Sequence, residues 1–341
     1  MSKPLLEVKN LRTHFIYKHE TVKAVDDVSF VVNEQETFGL VGESGCGKSM
    51  TCRSITRLVK RPGKIVEGDI IYNGESILAK SKKEMQKIRG KEIGMIIQEP
   101  MTALNPLLKV KYQIIDALDK SVYDTKEKQY NRALEMLKLV GIPEPELRLE
   151  EYPHQFSGGM RQRVKIAIAL SSGLKLVLAD EPTTALDVTI QDQVMKLINR
   201  LRDQLKMSVI LVTHDLGVVA QMCDRVAVMY AGHIVEMTDT RTLFSQPRHP
   251  YTFALMHSLP TGKEDGKKLP TIEGAPPNLA NLPAGCPFAE RCAYAQDICR
   301  QSRPELAPYR GDEKHVVACH FLDERTEFEG VIVKKEDEVK A

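Results

Sequence analysis

Gly42-Glu43-Ser44-Gly45-Cys46-Gly47-Lys48-Ser49 is the stretch that decides the fold, because it fits the phosphate-loop pattern G-x-x-x-x-G-K-[ST]. Residues 37–41 predict a buried strand before it and residues 48–59 a helix after it, which is the context the pattern requires. Backbone N–H groups of such a loop point at phosphate oxygens, and the positive end of the helix adds to the attraction. We expect a nucleoside triphosphate here, with Lys48 on its β- and γ-phosphates and Ser49 on Mg²⁺.

Acidic residues follow a second predicted strand. Residues 176–179 form a continuous apolar run, as expected for a parallel strand buried on both faces, and the run ends in Asp180-Glu181. Ligands of open α/β sheets lie at the carboxyl ends of strands. We therefore predict that Asp180 holds Mg²⁺ through water and that Glu181 polarises the water attacking the γ-phosphate.

Two further polar residues follow apolar runs in the same way. The strand predicted at 208–213 ends at His214, which can hydrogen-bond the γ-phosphate and orient the attacking water. Gln98 follows residues 93–97, and its amide suits sensing Mg²⁺ and the same water. The alternatives are a structural histidine and an ordinary turn residue.

A second helix start with phosphate-binding character lies at Phe156-Ser157-Gly158-Gly159-Met160-Arg161-Gln162. Ser157 and the backbone N–H groups of Gly158 and Gly159 open a predicted amphipathic helix, so its positive end can receive an anion. Met160, Val164 and Ile168 share the apolar face of this helix.

These motifs together resemble the ATP-binding subunits of ABC transporters over about residues 5 to 258. The matching motifs are Walker A at 42–49, the Q-loop Gln98, the signature at 157–162, Walker B at 176–181, the D-loop at 185–187 and the switch His214. Two departures are visible. The signature reads Phe-Ser-Gly-Gly-Met where Leu-Ser-Gly-Gly-Gln is common, and Met50 replaces the usual threonine after the phosphate loop. Neither removes a serine, glycine or lysine that faces phosphate.

The resemblance implies an α/β fold: a P-loop ABC ATPase with a RecA-like core, an N-terminal antiparallel β subdomain and an inserted helical subdomain at about 99–172. It also implies that ATP is sandwiched between the phosphate loop of one subunit and the signature of another. Residues 99–106 then become a docking site for a membrane subunit, with a proline-rich connector as the alternative. Phe15 or Tyr17, on one face of the first strand, could stack on the adenine, although a core role is nearly as well supported.

Composition narrows the class of protein. The 341 residues carry a formal net charge of +2, and the basic residues are scattered, so nucleic acid is not indicated as a partner. No segment approaches 18 consecutive apolar residues, and the N-terminal residues lack the pattern of a signal peptide. We expect a cytosolic protein that reaches the cytoplasmic face of the cell membrane through partners.

Four of the seven cysteines lie close together in sequence: Cys286, Cys292, Cys299 and Cys319. In a reducing cytosol a metal site is favoured over disulfides. The spacings do not fit the C-x₂₋₄-C knuckles of structural zinc, whereas four thiolates are the ligand set of an iron–sulfur cluster. Zinc and free thiols stay open as alternatives. For Cys46, the nearby helix N-terminus predicts a lowered pKa.

The region after residue 245 carries a second resemblance. Residues 246–252, 285–292, 303–306 and 317–320 look like the end of the dipeptide and oligopeptide transporter branch of these ATPases, which implies a [4Fe–4S] cluster. We expect the cluster to act as a structural staple, so that its removal unfolds residues 270–325 and spares ATP binding. The predicted organisation is a nucleotide-binding domain at 1–259, a small Cys-rich C-terminal domain at 260–325 and a charged tail at 326–341.

The sequence thus predicts an ATPase that powers import of dipeptides or oligopeptides. The partners that the resemblance implies are a second, related ATPase subunit, two membrane permease subunits and an extracytoplasmic peptide-binding protein. The same machine importing nickel, a metallophore or haem is the nearest alternative. A soluble ABC ATPase without a transport role is disfavoured, because neither heptads nor an internal repeat is visible. A redox enzyme with an iron–sulfur cluster is also disfavoured, because the sequence shows no residues for a substrate pocket.

Overall fold

Helices and strands form where the apolar patterns of the sequence place them, in a computed structural model that describes residues 3–97, 104–184, 187–258 and 271–322. The strands are β1 (Pro4–Ile16), β2 (Thr21–Asn33), β3 (Thr37–Val41), β4 (Gly63–Tyr72), β5 (Glu75–Ser76), β6 (Ile93–Ile96), β7 (Leu176–Asp180), β8 (Ser208–Val212), β9 (Arg225–Tyr230), β10 (His233–Asp239), β11 (Ala307–Tyr309) and β12 (Asp312–Val317).

The α-helices are α1 (Lys48–Ile55), α2 (Lys82–Ile88), α3 (Val110–Ala117), α4 (Lys126–Leu139), α5 (Pro145–Arg148), α6 (Gly158–Leu170), α7 (Val188–Leu205), α8 (Leu216–Met222), α9 (Thr240–Ser245), α10 (Pro250–His257) and α11 (Asp297–Gln301). Short 3₁₀ turns lie at Pro153–Gln155 and Ala289–Arg291. No helix in the described ranges combines the length and the apolar character needed to span a membrane.

The chain divides into two compact units, and the first comprises residues 1–78 and 212–341. One of its sheets has the order β2-β1-β4-β5 with antiparallel neighbours, which agrees with the predicted N-terminal antiparallel subdomain. From Asp26 to Asn33, side chains along β2 alternate between buried and half-buried, as expected for a sheet with one face in the core.

The other sheet strands of this unit follow the order β11-β12-β10-β9-β3. The pair β3 and β9 is parallel, and both strands are almost wholly buried, so apolar residues fill them without alternation. The pairs β9–β10, β10–β12 and β11–β12 are antiparallel. The last described strand of the chain, β12, therefore extends the same sheet that carries the phosphate loop after β3.

The second unit comprises residues 79–211. Its strands follow the order β8-β7-β6, with β6 and β7 parallel and all five residues of β7 buried. Its helices α3 to α6 occupy the region predicted as a helical insertion, and α4, α3 and α6 contact one another. Helix α4 ends at Leu139, before Gly141. The short helix α5 begins at Pro145, because proline is favoured in a first helical turn.

Two predictions differ from the structure, one on the end of α1 and one on the buried face of α6. The helix after the phosphate loop ends at Ile55 rather than Val59, because Arg57 adopts a left-handed backbone conformation (φ 53°) that an α-helix cannot continue. In α6 the predicted apolar face of Met160, Val164 and Ile168 is only partly correct: Val164 is buried, but Met160 and Ile168 are half-buried. The other buried positions of the helix are Gln162, Lys165, Ile166, Ala167 and Leu170.

Candidate functional site

The phosphate loop runs from the end of β3 to the start of α1, and close backbone contacts require glycine at Gly42 and Gly47. At Gly42 (φ 146°) a Cβ atom would lie 2.1 Å from the Met229 carbonyl oxygen. At Gly47 (φ 112°), the N-cap of α1, it would lie 2.3 Å from the Ala24 carbonyl oxygen. Only glycine fits such positions, so the loop lies tightly against β9 and β2.

Lys48 is the first residue of α1, and its side chain folds back into the loop. Its ammonium group donates to the carbonyl oxygens of Gly42 (2.7 Å) and Glu43 (2.8 Å), and the residue is only 5% exposed. Ser49 follows it and is half-buried. The loop therefore holds a buried cation at the positive end of a helix, and both features favour an anionic ligand.

Glu43 is fixed from outside the loop, which the sequence did not predict. Its backbone N–H donates to the Tyr251 hydroxyl at 2.9 Å, and its carboxylate accepts hydrogen bonds from Arg291 at 2.7 and 2.9 Å. These partners stand 208 and 248 residues away along the chain. Such separations leave no periodic signal, so the contacts emerge only from the fold.

Cys46 does not behave as expected. Burial is the dominant influence and raises the pKa of the Cys46 thiol, although Lys48, whose Nζ lies 3.6 Å from the sulfur, works in the opposite direction. The prediction of a lowered pKa is therefore wrong: the thiol is packed behind the loop, and desolvation outweighs the nearby cation.

In the second unit, β7 presents its two acidic residues as predicted, at its carboxyl end. Asp180 is 1% exposed, and Glu181 follows it with a left-handed backbone (φ 46°) that is rare for a residue with a side chain. Thr184 donates to the Glu181 carboxylate at 2.9 Å. A strained residue held by neighbours is common where a side chain must be aimed at chemistry.

The signature helix α6 starts at Gly158 with Ser157 as N-cap, and the Ser157 hydroxyl accepts from the Met160 N–H at 3.3 Å. Ser157 and Gly158 are exposed, and no described heavy atom lies within 4 Å of a Cβ built on Gly158. Gln162, one turn into the helix, is buried and donates to the Pro182 carbonyl oxygen just after Glu181. This helix thus has an open positive end and a buried link to the acidic strand end.

Of the two remaining predicted polar residues, the structure describes His214 but not Gln98. His214 is exposed beyond the end of β8, and Asp215 caps α8 by accepting from the Gly217 (2.9 Å) and Val218 (3.2 Å) N–H groups. Gln98, residues 99–103 and the D-loop residues 185–186 lie outside the described residues. Their predicted roles stay predictions.

The two aromatic candidates for adenine stacking differ in exposure. Phe15 lies within β1, half-buried beside Gly63, whereas Tyr17 follows the strand and is 48% exposed. An exposed ring offers a face for stacking on a base, and a ring packed in a sheet does not. This contrast favours Tyr17, and the assignment stays a prediction.

The four clustered cysteines line one small cavity of about 20 Å³ together with Phe288 and His320. The Cys286 N–H donates to the Cys299 carbonyl oxygen at 2.7 Å, which brings two of the thiol-bearing segments together. Burial, as the largest cause, raises the pKa of Cys286 to about 11. Among the described residues no three His, Cys, Asp or Glu side chains are arranged to hold a single metal ion.

Comparisons with known proteins agree with this geometry. The family model "ABC transporter" matches residues 25–184, and the model "Oligopeptide/dipeptide transporter, C-terminal region" matches residues 235–299. The oligopeptide transport ATP-binding protein OppD of Bacillus subtilis is 49% identical over 93% of this chain and 89% of its own length. The dipeptide transport ATP-binding protein DppD of the same organism is 48% identical over 95% of this chain and 96% of its own length.

Solved structures extend the comparison to the fold. The ATP-binding cassette MJ0796, solved as a dimer bound to ADP and Pi, superposes with a TM-score of 0.61 at 28% identity, covering 70% of this chain and 99% of the cassette. CbiO1 from Clostridium perfringens, part of the transporter complex cbiONQ, gives a TM-score of 0.61 at 26% identity, covering 71% of this chain and 91% of its own.

Proposed function

Because the chain belongs to the family of ABC transporter ATP-binding proteins of the oligopeptide and dipeptide type, we propose that it powers the import of dipeptides or oligopeptides by hydrolysing ATP. The observation that carries this proposal is the 45–49% identity to named peptide-transport proteins across nearly the whole chain, including the match to the oligopeptide/dipeptide C-terminal region. The fold supplies the ATPase of such a machine.

The proposed roles on ATP follow from the site. Lys48 binds the β- and γ-phosphates, the backbone N–H groups of residues 42–50 surround them, and Ser49 ligates Mg²⁺. When bound, Mg²⁺ neutralises charge that develops on the phosphate oxygens. Asp180 supports the metal through water, while Glu181 accepts a proton from the water that attacks the γ-phosphorus. The bond from that phosphorus to the bridging oxygen breaks, leaving ADP and phosphate; His214 and Gln98 orient the attacking water.

The signature supports a second proposal, that ATP bound by one subunit is closed by Ser157, Gly158 and Gly159 of another. An exposed helix N-terminus with an open glycine is suited to meet a phosphate brought by a partner. The partner ATPase is proposed to be a related, distinct chain. This chain is proposed to lie at the cytoplasmic face of the cell membrane, where it binds two membrane permease subunits. An extracytoplasmic peptide-binding protein completes the transporter.

Docking of the permease is proposed at residues 99–106. Residues 99–103 lie outside the described ranges, but the chain just beyond presents apolar side chains to solvent: Leu107 is 83% exposed, Leu108 39% and Tyr112 49%. Exposed apolar groups in a cluster mark interaction surfaces. Replacing residues 99–106 is expected to abolish transport and leave ATP binding intact, and loss of both would argue against docking.

We also propose that Cys286, Cys292, Cys299 and Cys319 hold a [4Fe–4S] cluster that staples a C-terminal domain at about 260–325, followed by a charged tail at 326–341. The four thiols converge on one cavity, and four thiolates are the ligand set of such a cluster.

The cluster is tested by anaerobic purification and measurement of iron, acid-labile sulfide and zinc for each chain. About four irons and four sulfides are expected in the wild type and in Cys223→Ser, a buried cysteine outside the cavity, and a loss of both in Cys299→Ser. One zinc for each chain, or no metal under strictly anaerobic conditions, would replace the cluster with the corresponding alternative.

The function itself is tested in liposomes that contain this chain with its co-purifying permease and ATPase partners. ATP hydrolysis is measured with the cognate binding protein, with and without mixed short peptides. Stimulation by peptides is expected. A response only to nickel complexes or haem would keep the ATPase and change the cargo, and the lack of any membrane partner would contradict a transport role.

A further inference from the structure

Arg291 of the Cys-rich segment, residues 286–319, forms hydrogen bonds to the phosphate loop. Arg291 ends the 3₁₀ turn Ala289–Arg291 and precedes Cys292, and its side chain is only 5% exposed. Both terminal nitrogens of its guanidinium donate to the Glu43 carboxylate, at 2.7 and 2.9 Å. A bidentate pair of this kind fixes orientation as well as distance.

The guanidinium is itself held rigidly by other partners. It donates to the carbonyl oxygens of Glu273 (2.9 Å) and Ile272 (3.3 Å) and to the Tyr230 hydroxyl (3.2 Å). Hydrogen bonding to Glu43, the largest cause, raises the pKa of Arg291 further above its ordinary value, so the cation is permanent. These hydrogen bonds together restrict the Arg291 side chain to one conformation.

An aromatic cluster joins the same two parts of the chain. Phe288, 2% exposed, packs against Tyr230 and Tyr251, with ring centroids 5.2 and 5.4 Å apart, and the two tyrosines lie 4.6 Å from each other. The hydroxyl of Tyr251 accepts from the Glu43 N–H. Both the charged and the apolar contacts of the Cys-rich segment therefore converge on one residue of the phosphate loop.

Glu43 connects the contacts of Arg291 and Tyr251 to Lys48, the residue proposed to bind phosphate. Its carbonyl oxygen accepts from the Lys48 ammonium at 2.8 Å, so the backbone that Arg291 and Tyr251 fix also sets the position of the lysine that binds phosphate. The neighbouring glycine, Gly42, admits no side chain and leaves this part of the loop dependent on its partners for shape.

We propose that Arg291 is a positioning residue for ATP binding, through which the Cys-rich C-terminal segment holds the phosphate loop in its binding conformation. This inference rests on the proposed function, because it assigns a role toward the ATP of that site. It replaces the expectation that loss of the C-terminal fold spares ATP binding: unfolding of residues 286–292 withdraws Arg291 and Phe288 together, and nucleotide affinity falls.

The test is a double-mutant cycle on nucleotide affinity in the full chain. Arg291→Gln and Glu43→Gln are each expected to weaken binding of a fluorescent ATP analogue about tenfold, and the double variant is expected to bind no worse than either single variant. Arg291→Lys keeps the charge but loses the bidentate fork, so an intermediate affinity is expected. Arg300→Gln is the matched control, since Arg300 lies in the same segment in an exposed pair with Glu290 at 3.9 Å.

Two results would overturn the proposal. Wild-type affinity in a folded Arg291→Gln chain would show that the contact serves stability alone. Wild-type affinity in Glu43→Gln, with loss in Arg291→Gln, would show that Arg291 only masks a carboxylate near the phosphates and does not position the loop. Near-ultraviolet circular dichroism establishes folding in each variant.

If Arg291→Gln does not fold, Glu43→Gln decides, because Arg291 keeps its bonds to Ile272, Glu273 and Tyr230 in that variant. Failure of the proposed function is distinguishable throughout: in that case the wild type and Arg300→Gln also do not bind the analogue.

Discussion

The two helix starts for which we propose phosphate contacts are built in opposite ways. At α1 the loop residues 42–48 pack against β2 and β9, glycines replace any side-chain cap, and Lys48 is buried inside the loop. At α6 a serine hydroxyl caps the helix, and Ser157 and Gly158 are exposed. The first start is packed against neighbouring strands with its lysine buried, whereas the second presents an exposed positive end.

The proposed ATP sandwich requires both kinds of helix start from one chain. A loop that must hold a triphosphate through a catalytic cycle needs external support, which Tyr251 and Arg291 supply. A helix end that must meet and release a phosphate held elsewhere needs open space in front of it instead. The contrast yields predictions that differ in sign or size between the two starts.

The largest expected contrast comes from the same substitution at both starts. Gly42→Ala places a methyl group 2.1 Å from the Met229 carbonyl oxygen at a φ of 146°, so the loop must distort, and ATP affinity is expected to fall more than 100-fold. Gly158→Ala meets open space among the described residues and keeps wild-type ATP affinity in the isolated chain. Isothermal titration calorimetry of both variants measures this, and equal losses would break the comparison.

A charged side chain at the open helix end separates binding from closure. Ser157→Arg fills the space in front of α6 with a bulky side chain, so ATP-dependent dimers are expected to disappear while the isolated subunit binds ATP normally. Size-exclusion chromatography with light scattering measures the dimer in a Glu181→Gln background, which is expected to slow hydrolysis. Ser157→Ala, which removes only the cap, is the matched control and is expected to cost about 1 kcal/mol of helix stability. Tight ATP-dependent dimers of Ser157→Arg would contradict the sandwich.

The link from the signature helix to the acidic strand end gives a smaller effect. Gln162 is buried and donates to the Pro182 carbonyl oxygen, next to Glu181. Gln162→Leu leaves that carbonyl without its donor, at an expected cost of about 1–3 kcal/mol in unfolding free energy. Hydrolysis is expected to slow while ATP affinity stays unchanged, because the phosphate loop is untouched. Steady-state hydrolysis and calorimetry together test this, and a fall in affinity with an unchanged hydrolysis rate would contradict it.

Sequence patterns predicted the local parts of both starts correctly and missed their supports. Strands β3, β7 and β8 lie where the apolar runs place them, because a strand buried on both faces needs uninterrupted apolar residues. Ser157 caps α6, as its residue type and position indicate.

What the patterns could not predict depends on contacts distant in sequence. The pair Arg291–Glu43 has no spacing signal, since an arginine beside a cysteine motif looks like any surface charge until the fold brings it to the loop. The nearby helix N-terminus alone predicts a lowered pKa for the Cys46 thiol. Burial raises this pKa instead, and the burial is set by residues such as Gly42 that pack around the thiol. Local motifs identify chemistry, and tertiary packing sets its electrostatics.

The smallest expected effect is a difference in acid sensitivity between the two units. His233 follows Gly232, whose N–H donates to the Cys46 carbonyl oxygen of the phosphate loop at 2.9 Å. Burial, the largest cause, and Arg303 lower the pKa of His233 to about 4, against the opposing effect of Asp26. The other unit contains only His154, which is exposed.

The sign of the effect follows from proton binding. Below pH 6.5 the unfolded chain protonates this histidine while the folded chain does not until about pH 4, so stability falls as pH decreases through that window. At pH 5.5 the expected loss is about 1 kcal/mol. Urea unfolding at pH 7.0 and 5.5 measures it: His233→Gln should flatten the pH dependence, and His154→Gln should leave it as in the wild type. If His233→Gln keeps the full pH dependence, the acid sensitivity of the phosphate-loop unit resides in other groups, and the two helix starts differ only in their architecture.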